Sequence, residues 1–473
     1  MLTVNAFDLG NEEFKKAYGL KYAYLAGSMY KGIASVNLVV KLGKAGLMGF
    51  FGSGGIRLSK IEEAIQSIQQ QLAPHQPYGI NLLCNLLQPH IEEEMVNAFL
   101  KHKVTNIEAA AFMQITPSLV WFRLKGLRRK PNGGIDIPNR ILAKVSRPEV
   151  ATAFMSPAPK EIVHHLVQQH KLTSEEAECG EQIPISHDIC VEADSGGHTD
   201  QGVAYALMPA MQQLRDEMQE KYGYSTALRI GSAGGIGTPH AAAAAFMLGA
   251  DFIMTGSINQ CTVEAGTSDA VKDILQSLNV QDTSYAPAGD MFEIGARVQV
   301  VRKGLLFPAR ANKLYELYKH THALEDLDEN TKNQIQEKYF KRRFEEVWEE
   351  TKNYYLKVKP DEITKAETNL KHKMSLIFRW YFIYTNRLAL SGVESEKVNY
   401  QIHCGPAMGA FNLWVRGTSL ESWHNRHADE IAEKMMQETA MVLSRRYQHW
   451  LQSKPCLPSE ISEKELAETV LTA

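Results

Sequence analysis

The sequence predicts an α/β protein, a (β/α)8 TIM barrel with an additional, mostly helical section after it. Short apolar segments alternate with amphipathic ones through the first two-thirds of the 473 residues, and glycines cluster where the apolar segments end. Alternating strands and helices favour parallel pairing through right-handed crossovers. Eight such units favour a closed barrel, although strand count alone leaves a doubly wound open sheet as an alternative. The eight strand candidates begin near residues 22, 46, 79, 104, 141, 188, 228 and 252.

The first two strands both lead into glycine. YAYLAG (22–27) is strand-like and ends at a glycine, and AGLMGFFGSGG (45–55) combines a short buried strand with a glycine-rich loop. The segment after this loop is predicted to be a helix because its apolar residues keep the spacing of one helical face. These residues are Ile61, Ala64, Ile65, Ile68 and Leu72.

Three further strands and two helices follow along the chain. YGINLLCN (78–85), VTNIEAAAF (104–112) and ILAKVSR (141–147) are apolar and short, as buried strands are. IEEEMVNAFLKH (91–102) and EIVHHLVQQH (161–170) show helical periodicity between and after them. The order strand, helix, strand therefore continues through the middle of the barrel.

The last three strands complete the predicted barrel. DICVEAD (188–194) and ALRIGSAGGIG (227–237) each run into a glycine turn, and DFIMTGS (251–257) is the eighth strand. Helices are predicted over 203–222 and 238–249, the second of them with a threonine cap and a proline in its first turn.

The composition changes after the barrel, so we predict three regions. Residues 1–312 form the barrel, 313–453 a helical substrate-binding or lid section packed on it, and 454–473 a peripheral tail. The segment 377–390 is apolar and aromatic but too short and too charged to span a bilayer, so we expect either a buried helix against the barrel mouth or the wall of a hydrophobic acyl channel. One helical stripe is predicted to serve ordinary helix packing: Phe340, Phe344, Val347 and Trp348.

Composition and charge narrow the function classes. The net charge of −3 gives no electrostatic case for nucleic acid. Six cysteines lie scattered without a CxxC pair, which predicts reduced thiols and neither a zinc site nor a disulfide framework. No signal peptide and no membrane-spanning apolar run is visible in the sequence, so a soluble, cytoplasmic protein is expected.

A barrel places its active site at the carboxyl ends of its strands, and the unusual residues of this sequence lie there. Asn81 and Lys144 belong to the third and fifth strands, and either one alone is as well explained by a structural hydrogen bond or ion pair. The remaining candidates are small residues and one methionine at strand ends: Gly27, Ser28, Met29, Gly49, Gly196, Gly197, Gly234, Gly235, Gly256 and Ser257.

The last two of these loops predict a phosphate site. Backbone N–H groups of Gly234, Gly235 and Gly256, with the hydroxyl of Ser257, suit a phosphate between the seventh and eighth strands and a helix N-terminus. The turn GSAGGIG also resembles a dinucleotide fingerprint, but such a turn belongs early in the fold with an acid about 20 residues later. A flat phosphorylated cofactor such as FMN fits the glycine-lined mouth, with Asn81 and Lys144 at the polar edges of its ring.

The stretch VEADSGGHTD (191–200) places His198 directly after two glycines. Glycine allows close approach of the backbone or a positive φ, and histidine titrates near neutral pH. A plain turn with a satisfied histidine explains this stretch equally well. Asp194 and Asp200 are candidates to orient His198, although a structural role for each is favoured.

Several of these segments together resemble a known family. AGLMGFFGSGG, GINL, ADSGGHTD, GSAGGIGTPHAAAAAFMLGAD and MTGS are similar to the nitronate monooxygenase-like FMN barrels. The fuller resemblance is to the PfaD-like trans-acting enoyl reductases of polyunsaturated fatty acid synthases and trans-acyltransferase polyketide synthases. It covers nearly the whole chain, including 22–35, 108–126, 193–202 and 404–421 in the helical section.

The resemblance implies a function. It implies bound FMN and a nicotinamide dinucleotide as reductant, with NADPH favoured. The implied substrate is a 2,3-enoyl thioester on an acyl carrier protein, and the implied partner is a polyketide or fatty acid synthase. It also implies that His198 lies on the active-site face of the flavin and polarises the thioester carbonyl or aids proton transfer. The alternative functions are a nitronate monooxygenase-like oxidase and a non-catalytic barrel component of a synthase. The hydrophobic helices outside the barrel are compatible with a homodimer.

The densest positive run allows two interpretations. In the functional interpretation, the run docks an acidic carrier protein or holds the 2′-phosphate of NADPH. In the other interpretation it is a solvated loop, and this one is favoured because salt screens charges at the surface. Its members are Arg123, Lys125, Arg128, Arg129 and Lys130.

Overall fold

The structure, a computed structural model, describes residues 3–85 and 88–452. Eight parallel strands close into a barrel in chain order, and the first strand pairs with the eighth. All eight predicted strands and the barrel are confirmed. We number the strands first to eighth: Tyr24–Ala26, Met48–Phe51, Gly79–Leu83, Asn106–Ala110, Arg140–Val145, Asp188–Glu192, Arg229–Ala233 and Phe252–Thr255.

Helices surround the barrel and make up most of the chain after it. Up to the eighth strand the α-helices are Glu12–Tyr18, Val36–Lys44, Leu58–Gln71, Pro89–Lys101, Pro117–Leu124, Pro148–Met155, Lys160–Gln168, Ser174–Gly180, Ala204–Tyr222 and Pro239–Met247. After it they are Ser257–Gln260, Asp269–Gln276, Phe307–His320, Glu329–Gln334, Phe344–Val358, Pro360–Thr368, Leu370–Ser391, Ala407–Val415 and Ala428–Gln452. Among the described residues, no helix is both long enough and apolar enough to cross a membrane.

Shorter helical turns and two small sheets complete the secondary structure. The turns are Ala6–Asp8, Tyr30–Gly32, Leu324–Asp326, Ile335–Phe340, Glu394–Asn399, Ser419–Glu421 and Trp423–Asn425. A three-stranded antiparallel sheet joins Gly197–His198, Arg297–Val301 and Thr283–Pro287, with Arg297–Val301 in the middle. A two-stranded ribbon pairs Arg128–Arg129 with Ile135–Asp136. None of these five short strands was predicted from the sequence.

The three-stranded sheet belongs to a second hydrophobic core. This core begins with the sheet residues Ala286 and Val298 and continues through Phe307 into the aromatic helix Leu370–Ser391. The apolar segment 377–390 lies in that helix, where most of its side chains are buried, mainly in this second core. Its predicted position against the barrel mouth or along an acyl channel stays a prediction. The boundary between residues 312 and 313 stays a prediction, and the predicted tail 454–473 lies outside the described residues.

The predicted aromatic stripe serves core packing but does not lie on one helix. Phe340 is the last residue of a π-helix, and Lys341 after it takes a left-handed conformation with φ 53°. A new α-helix begins at Phe344 and carries Val347. The expectation of one continuous helix was therefore wrong, because the chain turns at Lys341 between the two halves of the stripe.

A buried polar network closes the end of the barrel opposite the site. The guanidinium of Arg229 donates to both carboxylate oxygens of Asp188 at 2.6 and 2.9 Å, and the Tyr18 hydroxyl donates to Asp188 at 2.8 Å. Arg123 is equally buried and lies 2.9 Å from Nδ1 of His187. Burial and the nearby guanidinium groups hold the pKa of His187 well below its usual value, so its imidazole is neutral.

We expect Arg229→Met to lower the free energy of unfolding by about 3–5 kcal/mol, because the Asp188 carboxylate would stay buried without its counter-charge. The control is Arg128→Met, which breaks an exposed pair with Asp136 and should change stability by less than about 0.5 kcal/mol. Urea denaturation followed by circular dichroism measures both. Equal, small changes in the two variants would contradict the assignment.

The positive run of residues 123–130 lies at the same end of the barrel. It connects the carboxyl end of helix Pro117–Leu124 to the amino end of the fifth strand. Arg123 is buried and donates to the backbone carbonyls of Pro184 and Asn139, so its inclusion in a docking surface was wrong. Lys125 is half-buried and pairs with Glu176 at 3.2 Å, whereas Arg128, Arg129 and Lys130 are exposed, two of them in a short strand of the ribbon. The exposed part of the run agrees with the favoured interpretation of a solvated segment, although two of its residues form a strand.

Candidate active site

Charged and polar side chains point into the barrel at the carboxyl ends of the strands, which we call the mouth. Alternation along the strands places Leu142 and Cys190 in the barrel interior. Lys144 and Glu192 lie two residues further on and therefore face the same interior, one layer closer to the mouth. The Nζ atom of Lys144 lies 3.1 Å from Oε1 of Glu192.

Glu108 completes this charged layer from the fourth strand. Its Oε1 atom lies 3.7 Å from Nζ of Lys144, and its carboxylate accepts the backbone N–H of Ser28 at 2.8 Å and the Ser28 hydroxyl at 2.9 Å. The side-chain amide of Asn81 donates to the backbone carbonyl of Glu108 at 3.2 Å. The predicted residues Ser28, Asn81 and Lys144 are thus brought together around one buried carboxylate.

The two carboxylates keep Lys144 charged. Burial by itself would lower the pKa of Lys144, but the charges of Glu192 and Glu108 outweigh it and raise the pKa above its usual value. Neither glutamate was predicted as a site residue from the sequence. Both could have been predicted, because side chains alternate between the interior and the exterior along a strand. Glu108 and Glu192 occupy interior positions of their strands, as Asn81 and Lys144 do.

His198 lies beside this layer and pairs with a carboxylate from a distant part of the chain. Its Nε2 atom lies 2.8 Å from Oδ1 of Asp290, in the turn between strands Thr283–Pro287 and Arg297–Val301. Burial opposes the charged imidazole, but the hydrogen bond and charge of Asp290, with a contribution from Glu192, raise the pKa of His198 above its usual value. Burial likewise opposes the charged form of Asp290, whose pKa is lowered by His198.

Neither aspartate of the SGGH loop contacts His198. Asp194 accepts hydrogen bonds from Thr199 at 2.7 Å and from Tyr285. Asp200 pairs with Arg147 at 3.0 Å. The favoured structural role of both aspartates agrees with these contacts.

A second histidine, His403, lies close enough to His198 and Asp290 to be affected by the charge of each. Burial and the charge of His198 lower the pKa of His403 to about 4, although Asp290 opposes the change. The imidazole of His403 is therefore neutral at neutral pH, and its Nε2 atom lies 2.6 Å from Nε2 of Gln401. No local pattern in the sequence pointed to His403, since it follows the whole helical section.

The two glycines before His198 let another segment of the chain cross the loop. A Cβ atom at Gly196 would lie 2.8 Å from Cα of Cys404, and Gly197 takes φ 86° where it pairs with Gln299. Their immediate role is thus close packing against the 403–405 segment. The expectation that they pack beneath a flavin stays a prediction.

In the described residues, the loops after the seventh and eighth strands each hold a backbone N–H without an acceptor, beside open space. Gly235 has φ 73°, and a Cβ atom at Gly235 or Gly256 would meet no atom within 4 Å. In the described part of the chain, neither glycine donates its backbone N–H to an acceptor. Ser257 Oγ accepts the N–H of Gly405 at 3.0 Å, which places this hydroxyl beside the 403–405 segment.

Three other predicted glycines serve packing. A Cβ at Gly234, with φ 90°, would lie 2.6 Å from the carbonyl of Ala193. A Cβ at Gly27 would lie 2.9 Å from the sulfur of Met254. Gly49 faces the helix layer, where a Cβ would lie 3.0 Å from Leu42, so the structure does not bring Gly49 to the mouth.

Met29 contributes its backbone to the first loop at the mouth. A Cβ atom at Gly52 would lie 1.7 Å from the carbonyl oxygen of Met29, so the second loop needs glycine where the first crosses it. The Met29 side chain is half-buried against the barrel core.

The fold and this mouth define a (β/α)8-barrel protein with a charged site at the carboxyl ends of its strands. The chain is similar in structure to the enoyl reductase domain of MlnA from the macrolactin biosynthesis cluster of Bacillus amyloliquefaciens. The two are 48% identical with a TM-score of 0.91, over 94% of this chain and 99% of that one. The chain therefore belongs to the family of this domain, the PfaD-like enoyl reductases that its motifs resemble.

Curated relatives extend the comparison. The chain is 58% identical to the polyketide biosynthesis protein PksE of Bacillus subtilis over 95% of its own length and 58% of PksE. It is 42% identical to a polyunsaturated fatty acid synthase subunit of Thraustochytrium sp., over 88% of its own length and 28% of that protein. The chain thus spans only part of these relatives. Residues 321–400 match the model of the inserted helical domain of [acyl-carrier-protein] S-malonyltransferase.

Proposed function

We propose that this protein reduces the 2,3-double bond of enoyl thioesters carried on an acyl carrier protein, as a trans-acting component of a polyketide or fatty acid synthase. The carrying observation is the paired His198 and Asp290 beside the charged Lys144 layer in a barrel of this family. The names of PksE, the MlnA domain and the fatty acid synthase relative support the assignment.

The residues present at the mouth fit FMN as the prosthetic group. The free backbone N–H groups of Gly235 and Gly256, with the hydroxyl of Ser257, are suited to its phosphate. The permanent charge of Lys144 is suited to the ring edge that becomes anionic on reduction, with Asn81 beside it. When bound, FMN supplies hydride transfer between a nicotinamide dinucleotide, which we propose is NADPH, and the enoyl β-carbon.

His198 is proposed to hold the proton that the product needs. Reduction of an enoyl thioester adds a proton at the α-carbon, and a protonated imidazole donates one or polarises the carbonyl. Asp290 keeps His198 protonated to higher pH than a free imidazole. His403 is neutral at neutral pH, so the charge of Asp290 stabilises the protonated form of His198 and no second cation on His403.

We expect Asp290→Asn to move the alkaline limb of the pH profile of enoyl reduction to lower pH. Removing the carboxylate takes away the interaction that raises the pKa of His198, so the imidazole loses its proton earlier as pH rises. The measurement is kcat/KM for an enoyl thioester against pH. Asp200→Asn, which breaks the exposed pair with Arg147, is the control and should leave the limb in place. An unmoved limb in Asp290→Asn contradicts this role.

The function is tested against its alternatives by substrate and by absorbance. The purified protein should be yellow and should consume NADPH with a crotonyl thioester on a carrier protein. A nitroalkane should support a rate lower by about 100-fold or more, since a small nitronate has no use for the helical section. Faster turnover of the nitroalkane with oxygen would favour a nitronate monooxygenase-like oxidase, and a colourless protein would favour a non-catalytic barrel.

A further inference from the structure

The carboxylate that pairs with His198 is carried by a turn outside the barrel strands. Asp290 lies in residues 288–296, which we call the Asp290 turn, between an outer strand and the middle strand of the three-stranded sheet. A hydrogen bond from the N–H of Ala288 to the carbonyl of Ala296 at 2.8 Å closes this turn. Among the described residues, His198 is the one side chain that hydrogen-bonds the Asp290 carboxylate. The position of this carboxylate therefore depends on what holds the turn.

The aromatic helix Leu370–Ser391 holds the turn on the amino side of Asp290. Nε of Arg379 donates to the carbonyl of Gly289 at 2.9 Å, so it fixes the peptide group that joins Gly289 to Asp290. A Cβ atom at Gly289 would lie 2.5 Å from Cβ of Phe382, so the helix packs directly on the backbone of the turn. Close packing of this kind leaves the peptide group beside Asp290 little room to move.

The same helix holds the turn on the carboxyl side of Asp290. Oε1 of Glu293 lies 2.6 Å from Nδ1 of His372 and accepts the hydroxyl of Ser375 at 2.6 Å. The other ring nitrogen of His372 lies 2.8 Å from Oε2 of Glu362 in the preceding helix. The buried imidazole of His372 therefore joins the turn to two helices.

Between these two anchors, the side chain of Phe292 is buried in the second hydrophobic core. Its ring centre lies 5.2 Å from that of Tyr318 and 5.5 Å from that of Phe382. The Asp290 turn thus has its apolar side chain in the core of the helical section, while its carboxylate reaches the mouth of the barrel.

We propose that Arg379 is a positioning residue for the proton donor, together with the pair of Glu293 and His372. These groups hold the turn so that the Asp290 carboxylate stays 2.8 Å from Nε2 of His198. Their hydrogen bonds reach the turn and not His198, so they act through the turn. The role in enoyl reduction rests on the proposed function, whereas the control of the charge on His198 does not.

The proton donor is thereby assembled from two parts of the chain. Arg379 and His372 lie within residues 321–400, which match the inserted helical domain of the transferase, whereas His198 belongs to a loop of the barrel. The helical section then contributes to the proton transfer as well as covering apolar surface.

The first test is Arg379→Met, which removes the donor to Gly289 and keeps a long side chain. In the FMN-loaded protein, we expect the alkaline limb of kcat/KM for an enoyl thioester to move to lower pH, in the direction of Asp290→Asn but less far. On that limb kcat/KM should fall about tenfold, because a displacement of about 1 Å costs up to about 100-fold. Arg379→Lys keeps a donor and should recover part of the loss.

The control is Arg416→Met, which removes an exposed arginine at the end of another helix and should leave the limb in place. The other charged groups near His198 are Glu192 and Lys144, and the neutral His403 lies close to it as well. None of the variants replaces these three groups, so a moved limb reports the contact with the Asp290 turn.

The second test does not depend on enoyl reduction. The pKa of His198 is measured by NMR of the FMN-loaded protein labelled in its histidine rings, and the signal is identified by its absence in His198→Ala. We expect a lower pKa of His198 in Arg379→Met than in the wild type and no change in Arg416→Met. Glu293→Ala removes the second anchor and should lower this pKa as well, so it replaces Arg379→Met if that variant does not fold.

Amide hydrogen exchange over residues 288–296 shows whether the turn is loosened, and it should be faster in Arg379→Met and in Glu293→Ala. An unchanged pKa of His198 in both variants overturns the positioning role, whether or not exchange in the turn is faster. If the pKa falls in the variants but the wild type reduces no enoyl thioester, the positioning role stands and the proposed function fails.

Discussion

The variant His198→Ala should lose reduction of the enoyl thioester while keeping its flavin and its reduction by NADPH. A positioned acid contributes about 10²- to 10⁴-fold to such a step, and the His198 imidazole paired with Asp290 is the acid assigned here. Stopped-flow spectroscopy measures the two half-reactions separately. The oxidative half-reaction should slow by that factor, and the reductive half-reaction should change by less than about twofold.

The control for this variant is His75→Ala, an exposed histidine before the third strand and far from the mouth. It should leave both half-reactions unchanged. Equal slowing of flavin reduction and enoyl reduction in His198→Ala would mean that the residue holds the cofactor and does not transfer a proton. Full enoyl reduction by that variant would remove His198 from the chemistry altogether.

Replacing Gly256 by valine should abolish tight binding of FMN without unfolding the protein. A Cβ atom at Gly256 meets nothing within 4 Å, so the fold has room for a side chain, and this room adjoins a backbone N–H that has no acceptor among the described residues. We expect the affinity for FMN to fall by about 100-fold, since the added side chain excludes the phosphate and its hydrogen bonds. Flavin absorbance of the purified protein and a fluorescence titration with FMN measure the loss.

The matched control is Gly134→Val, in the turn of the two-stranded ribbon at the opposite end of the barrel. It should retain a full complement of flavin. Circular dichroism distinguishes a folded, colourless Gly256→Val from an unfolded one. A folded Gly256→Val with unchanged affinity for FMN would show that the phosphate binds elsewhere.

The barrel was predictable because its signals are local. Each strand is a short buried segment that ends near glycine or a polar residue, and each helix between the strands has its own periodicity. The strand Gly197–His198 was not predictable in this way, because two residues show no period and its pairing partner, Arg297–Val301, lies about 100 residues later. The turn at Lys341, which divides the predicted helical stripe, was not predictable either. No neighbouring residue marks the left-handed conformation that Lys341 adopts.

The site was predictable only in part for the same reason. Asn81 and Lys144 are polar residues within short apolar strands, and the alternation of inward and outward side chains would have added Glu108 and Glu192. Asp290 lies in a turn that reaches the mouth only through the antiparallel sheet, so no spacing in the sequence connects it to His198. Site residues that only tertiary contacts bring together can be identified from the structure but not from the sequence.

The most direct test of the account is an anaerobic experiment in two mixing steps. The purified protein is first mixed with NADPH under exclusion of oxygen, and the flavin absorbance near its visible maximum is followed until it bleaches. An enoyl thioester on its carrier protein is then added. The account predicts that the absorbance returns with formation of one saturated thioester for each flavin. A flavin that stays reduced until oxygen is admitted would contradict it.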